Sequence, residues 1–296
     1  MDQLPRLALL GVGLLGGAIA ERLHRSGYPL VVYNRTKRKT RSLAQQGVRV
    51  STRPEEALAA SDVVLLLLAD GPAIQACLLS PACATAVGGK TVIQMGTIGS
   101  DESRALHREI ERLGGSYLEA PVLGSLAEAK AGTLIVMVGT TEEQFARWSP
   151  LFRTLGREPK LIGPVGQAAS LKLALNQLIA AEIAAFALSL GLVQRSGVSV
   201  DTFMEILRQS ALFAPTFEKK LPRLLRRDYA NPNFPTRHLS KDVALCLREA
   251  VEQGLGTEGL EGLLPLLERT IGQGLGEMDY SALYEAIDPA RTGLTR

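Results

Sequence analysis

Leu7-Ala8-Leu9-Leu10-Gly11-Val12-Gly13-Leu14-Leu15-Gly16-Gly17-Ala18-Ile19-Ala20, followed by Val31-Val32-Tyr33-Asn34-Arg35-Thr36, is the segment from which the architecture follows. An apolar strand runs into Gly11-x-Gly13-x-x-Gly16, a helix follows, and a second strand ends where a dinucleotide fold selects its ribose. Gly11 permits the tight turn. Gly13 lets backbone N–H groups of the Val12, Leu14 and Leu15 stretch approach a pyrophosphate. Gly16 lets the helix pack on its strand with the positive end of its dipole toward the anion.

The second strand lacks the acid that would grip a free 2′-hydroxyl. Asn34, Arg35 and Thr36 stand there, with Lys37, Arg38 and Lys39 behind them. A carboxylate repels a 2′-phosphate, whereas an arginine fork with short amide and hydroxyl neighbours binds one. The expected cofactor is therefore NADP(H) in preference to NAD(H), contacted by Asn34, Arg35 and Thr36. The run from Lys37 to Arg41 by itself reads as a solvated helix face. A secretory signal offers a competing reading of the start, with Arg6, an apolar run and Ala18-Ile19-Ala20 as a cleavage site. Such a signal has no reason to space its glycines this way or to be followed by a strand ending in Asn-Arg-Thr.

A chain of 296 residues, 46% hydrophobic and 21% charged, has room for about two domains and a substantial core. A net charge of +3 argues against a nucleic-acid partner. Cys77, Cys83 and Cys246 are odd in number and lack metal-ligand spacing, as expected of reduced thiols in a cytoplasmic protein with no metal site. The stretch from Leu171 to Val193 is long and apolar, yet it carries Lys172, Asn176, Gln177 and Glu182, each costly in hydrocarbon. It reads as a helix buried between protein surfaces, with no membrane partner.

Up to about Ile162 strand and helix alternate. Strands are expected at 7–10, 30–33, 48–50, 63–68, 91–94, 117–119, 134–138 and 160–162, and helical periods fall between them, such as 101–113 with Ser100 as N-cap. This alternation predicts an α/β domain with a doubly wound parallel sheet. After Gly163-Pro164-Val165-Gly166 only helical periods remain: 167–195, 200–209, 215–226, 240–253, 259–271 and 279–287. The expected domains are 1–164, nucleotide-binding, and 165–296, all-helical, with Asn231 to Pro235 as a loop in the second.

Lys172 is the only charged residue from Leu161 to Ala181. On a helix its neighbours are Ala168, Ala169 and Leu175, with Asn176 one turn further on. An ammonium among apolar groups loses hydration, which lowers its pKa toward a range suited to proton transfer. Taken alone, the same lysine reads equally as one that snorkels to water. The nucleotide cradle elsewhere in the chain favours the catalytic reading. Asn176 has two readings, a hydrogen bond to Lys172 or substrate, or an interhelical bond. Lys241-Asp242 by itself reads as the first turn of a helix capped by Ser240.

Gly11-x-Gly13-x-x-Gly16, Ala120-Pro121-Val122-Leu123-Gly124-Ser125, Gly163-x-x-Gly166-x-x-x-x-x-Lys172-x-x-x-Asn176 and Lys241-Asp242 occur in that order. In this the chain resembles, over essentially its whole length, the β-hydroxyacid dehydrogenase family, particularly the glyoxylate/succinic semialdehyde reductase and 3-hydroxyisobutyrate dehydrogenase branches. The resemblance implies a Rossmann domain, an all-helical domain and an active site between them. It matches Lys172 to the family's general acid/base, Asn176 to its helical partner and Lys241 to the lysine at the nicotinamide end of the cofactor. Thr97 matches the threonine near the nicotinamide ribose, and Leu68 with Ala69 match the loop whose backbone lines the cofactor. Leu123, Gly124 and Ser125 fall in the loop that meets the substrate, with backbone amides near Gly124 and Ser125 for its carboxylate. The chain departs from the family at Gln94, usually Asp, at Gly96, usually Ser, and at Leu123, frequently Ser.

These readings predict NADPH-dependent reduction of a small carboxylate-bearing aldehyde or keto acid, such as glyoxylate or succinic semialdehyde, to the hydroxyacid, or the reverse oxidation. The alternatives are an imine reductase, in which the resemblance leads one to expect Asp or Tyr in place of Lys172, and a catalytically weak NADPH-binding scaffold. A helix apolar around most of its circumference must be covered on several sides, so a homodimer or homotetramer is expected.

Overall fold

The computed structural model describes residues 4–289. The chain divides into two compact units, the first ending at Lys172 and the second beginning at Leu173. In the first unit the strands are β1 Leu7–Leu10, β2 Leu30–Tyr33, β3 Arg49–Val50, β4 Val63–Leu66, β5 Thr91–Gln94, β6 Ser116–Glu119, β7 Val122–Leu123, β8 Ile135–Gly139 and β9 Lys160–Gly163. Between them lie α1 Leu14–Arg25, α2 Arg41–Gln45, α3 Pro54–Ala59, α4 Gly71–Leu78, α5 Pro81–Ala84, α6 Ser100–Arg112, α7 Leu126–Ala131 and α8 Glu142–Leu155.

The sheet order is β3-β2-β1-β4-β5-β6-β8-β7, with β9 paired to β8. β1 lies parallel between β2 and β4, with Leu7 opposite Leu30 and Val63. Along β1 the side chains alternate between two cores. Leu7 and Leu9 pack with Ile19 and Leu23 of α1 and Phe152 of α8, while Ala8 and Leu10 pack with Leu58, Ile74 and Ile110 on the opposite face. A strand covered on both faces must be apolar throughout, which is why β1 and β4 read as uninterrupted hydrophobic runs.

The expected parallel sheet holds from β3 through β6. β8 then runs antiparallel to both β6 and β7, and β9 lies parallel to β8. Two residues are too few to show a period of two, so β7 carried no signal. β4 stops at Leu66 rather than Leu68, because the Leu66 carbonyl turns to accept from both Met95 and Gly96 N–H. The cap of α6 is also one residue earlier than expected. Ser100 is the first helical residue, and the Glu102 carboxylate accepts the Gly99 N–H at 2.9 Å.

The second unit holds most of α9 Gln167–Arg195, then α10 Val200–Arg208, α11 Pro215–Arg226, α12 Thr236–Glu252, α13 Glu258–Glu261, α14 Leu263–Thr270 and α15 Tyr284–Ile287. Its core joins Ile183, Phe186 and Leu190 of α9 to Phe217, Leu239, Val243, Leu267 and Tyr284. Lys220 and Asp279 pair inside it, the ammonium 2.7 and 2.8 Å from the two carboxylate oxygens. α12 begins at Thr236 after Pro235, so Ser240 is an interior helical residue and not a cap.

α9 is long and apolar enough to cross a membrane by length and composition, and 39% of its most apolar stretch is buried. The expectation of a helix buried between protein surfaces is met only in part by this chain. Leu188 and Leu192, one turn apart, are 63% and 67% exposed.

Candidate active site

The glycine turn is built as its spacing predicts. Gly11 has φ +107°, and a Cβ there would lie 2.7 Å from the Leu67 carbonyl carbon. Gly16 touches the Gly11 carbonyl so closely that no side chain fits. Gly13 differs, since among the described residues nothing beyond its own chain neighbours and helix backbone lies within 4 Å of where its Cβ would stand. Its smallness serves no internal packing, and it sits as N-cap of α1 with no side chain closing the helix. An open helix N-terminus with a bare backbone fits a pyrophosphate. The backbone of Val12, Leu14 and Leu15 flanks this position.

Asn34, at the end of β2, accepts the Val12 N–H at 2.9 Å and donates to the Thr36 carbonyl at 3.0 Å. Its amide therefore braces the glycine turn against the end of β2. Arg35 and Thr36 are exposed, and among the described residues no hydrogen bond or ion pair of the Arg35 guanidinium is formed. Leu68 and Ala69 follow β4 beside the turn, Leu68 half-buried and Ala69 exposed.

Within the same unit a recess is lined by Gln94, Gly96, Thr97, Ile98, Glu119, Pro121, Ala169 and Lys172. Lys172 is 9% exposed, so the snorkelling alternative is not what the fold adopts. The departures at Gln94 and Gly96 form one feature. A Cβ at position 96 would stand 2.7 Å from the Leu68 carbonyl and 3.2 Å from Gln94 Nε2, so the longer amide occupies room that a serine would need. Gln94 Nε2 donates to the Gly96 carbonyl at 3.0 Å, while its buried Oε1 has no hydrogen-bond partner among the described residues.

Glu119 escaped the sequence reading, although an acid closing a buried apolar strand was a signal. Its Oε1 accepts three backbone N–H groups, from Gly166 and Ala168 at 2.8 Å and Ala169 at 3.1 Å. Ser103 donates to Oε2. Burial pushes the carboxyl above its ordinary value, opposed by the Ser103 hydroxyl and the three N–H groups.

The loop expected to meet the substrate departs from that expectation at Ser125. Its N–H is donated to the Glu128 carboxylate at 2.8 Å, and its hydroxyl donates to the same oxygen. Ser125 thus closes the N-terminus of α7, and its amide is not presented to a substrate carboxylate. Leu123 and Gly124 precede it, Gly124 at φ +140°, and none of the three lines the recess.

In the second unit Asn176 and Asp242 are each 2% exposed. Asn176 Nδ2 donates to Asp242 Oδ2 at 2.7 Å, and Lys241 Nζ lies 2.9 Å from Asp242 Oδ1. Asp242 thus orders Asn176 through a hydrogen bond and stands beside the Lys241 ammonium, its own Oδ1 having no hydrogen-bond partner among the described residues, a role hidden by reading it as a first-turn acid. The Asn176 carbonyl oxygen has no hydrogen-bond partner among the described residues.

The family model described as the NAD binding domain of 6-phosphogluconate dehydrogenase matches residues 6–166. The model described as NAD-binding of NADP-dependent 3-hydroxyisobutyrate dehydrogenase matches residues 166–287. Glyoxylate/succinic semialdehyde reductase 1 of Arabidopsis thaliana is 30% identical, over 96% of this chain and 99% of that protein. The 2-hydroxy-3-oxopropionate reductase of Escherichia coli is 29% identical, over 96% of this chain and 97% of its own length. The structure of 3-hydroxyisobutyrate dehydrogenase from Mycobacterium tuberculosis with L-serine shares the fold, with a TM-score of 0.85 at 22% identity over 96% of this chain and 99% of that one.

Proposed function

Because the chain belongs to the β-hydroxyacid dehydrogenase family of NAD(P)-dependent oxidoreductases, we propose that it reduces a small aldehyde or keto acid bearing a carboxylate, or oxidises the corresponding hydroxyacid. Glyoxylate and succinic semialdehyde are the first candidates, by likeness to the Arabidopsis reductase. The observation that carries this reading is the buried amine of Lys172 in the recess shared with Thr97.

When bound, the nicotinamide supplies or accepts the hydride. The Lys172 ammonium donates a proton to the nascent alkoxide, and its charge favours the negative charge that develops there. Asn176, oriented by Asp242, offers its carbonyl oxygen to a substrate hydroxyl. Thr97, Leu68, Ala69 and Lys241 serve the nicotinamide half of the cofactor. The Gly124 backbone remains for the substrate carboxylate, beside Leu123 where the family frequently has serine.

NADP(H) is the preferred cofactor in this reading, supported by the exposed Arg35 fork and the missing acid at the end of β2. The uncovered leucines of α9 support a homodimer or homotetramer, and the three free cysteines support a cytoplasmic setting. The test is steady-state oxidation of NADPH with glyoxylate, succinic semialdehyde and a cyclic imine. Turnover of the aldehyde acids is expected. Turnover of the imine alone would assign an imine reductase, and NADPH binding without turnover of any would assign a scaffold.

A further inference from the structure

Glu119 joins four separate pieces of the first unit. It ends β6, is 1% exposed, and holds the Gly166, Ala168 and Ala169 N–H groups on one oxygen. Its other oxygen takes the hydroxyl of Ser103 from α6, and that hydroxyl lies 2.8 Å from the Tyr117 hydroxyl. β8 contributes Gly139, where any side chain would strike the Glu119 carboxyl. The first-turn N–H groups of a helix have no partner within the helix, and an acid there also meets the positive end of its dipole. Gly166, at φ +103°, turns the chain so that its own N–H joins the other two. Lys172 follows Ala168 by four residues and Ala169 by three, so it stands one turn along the face of α9 that Glu119 grips.

We propose that Glu119 is a positioning residue for proton transfer: its carboxyl holds the first turn of α9 and so sets where the Lys172 amine stands. This rests on the role assigned to Lys172 above. Ser103 and Tyr117 keep the carboxyl in one orientation, and Gly139 gives it room. The decisive property is reach, an acceptor oxygen at the distance that spans three N–H groups, rather than charge.

Glu119→Gln keeps that oxygen and lets Ser103 accept from the amide. Glu119→Asp keeps the charge but is one methylene short, and Glu119→Leu keeps the bulk without an acceptor. Three quantities are read: kcat, the Kd for NADPH, and amide hydrogen exchange at Gly166, Ala168 and Ala169, the last of which needs neither cofactor nor turnover. E119Q is expected to keep kcat within about fivefold, whereas E119D and E119L lose about 100-fold, as for a misplacement on the order of 1 Å. NADPH affinity stays within about threefold in all of them, while exchange at the three amides quickens about tenfold in E119D and E119L only.

Wild-type kcat and exchange in E119D overturn the proposal, even should E119L not fold. So does a loss in E119Q equal to that in E119L, which would make charge the cause, or a parallel loss of NADPH affinity, which would make the role one of general stability. The underlying assignment is checked separately with Lys172→Ala: retained turnover there removes the lysine from the chemistry, while the exchange data still show whether Glu119 grips the helix.

Discussion

The side-chain oxygen of Asn34 lies 2.9 Å from the Val12 nitrogen, across 22 residues of sequence, and ties the end of β2 to the glycine turn that follows β1. Asn34 thus acts on the cradle as a whole, while its neighbour Arg35 projects from it. In the function proposed above, the two positions would separate cofactor affinity from cofactor selectivity.

Asn34→Ala removes the bonds to Val12 and Thr36, each worth about 1 kcal/mol. Both NADPH and NADH are expected to bind up to about tenfold more weakly, with their ratio unchanged. Fluorescence titration with the two cofactors checks this, and a change confined to NADPH contradicts it.

Arg35→Asp replaces a charge-assisted donor with a repelling acid. The NADPH/NADH ratio of kcat/KM is expected to fall about 100-fold, as for loss of a charged hydrogen-bond pair. An unaltered ratio in steady-state kinetics removes Arg35 from the specificity reading.

Lys172→Ala deletes the buried amine. Turnover is expected to drop by about 10²- to 10⁴-fold, the usual worth of a positioned acid, with NADPH affinity retained in equilibrium titration. Substantial remaining activity refutes its catalytic role.

Lys220→Met leaves the Asp279 carboxylate buried without its ammonium; the two side chains are 4% and 0% exposed. Burying an unpaired charge costs about 3–5 kcal/mol. The chemical-denaturation midpoint should fall accordingly, and a shift of a few tenths of a kcal/mol would show that the site relaxes to admit water.

Leu188→Glu with Leu192→Glu places two charges on the uncovered face of α9. Each leucine buried in an interface contributes about 1.5–3 kcal/mol, so sedimentation velocity should show wild-type oligomers and a monomeric double variant. A wild-type monomer contradicts the oligomer proposed.

Local patterns made much of the molecule legible in advance. Apolar runs marked β1, β2 and β5 to the residue, and helical periods marked α9 and α11 to both ends. Glycine spacing placed the cradle, and an isolated lysine on an apolar helix drew attention to Lys172. Two of the misreadings share a cause, competition for backbone donors: Ser100 lost its capping role because Glu102 reaches back to Gly99, and the Ser125 amide went to Glu128. Ser240 is interior for another reason, the start of α12 at Thr236 directly after Pro235.

Periodicity and spacing are properties of neighbours along one chain, so they were enough to reveal the alternating half, the helical half and the glycine turn, and to single out Lys172 as the candidate for proton transfer. Which groups meet across long separations was left to the tertiary structure: Glu119 with the start of α9, 47 to 50 residues away, and Asn176 with Asp242 across 66. Most buried polar atoms find a partner wherever the packed chain brings one, and no local pattern encodes that choice.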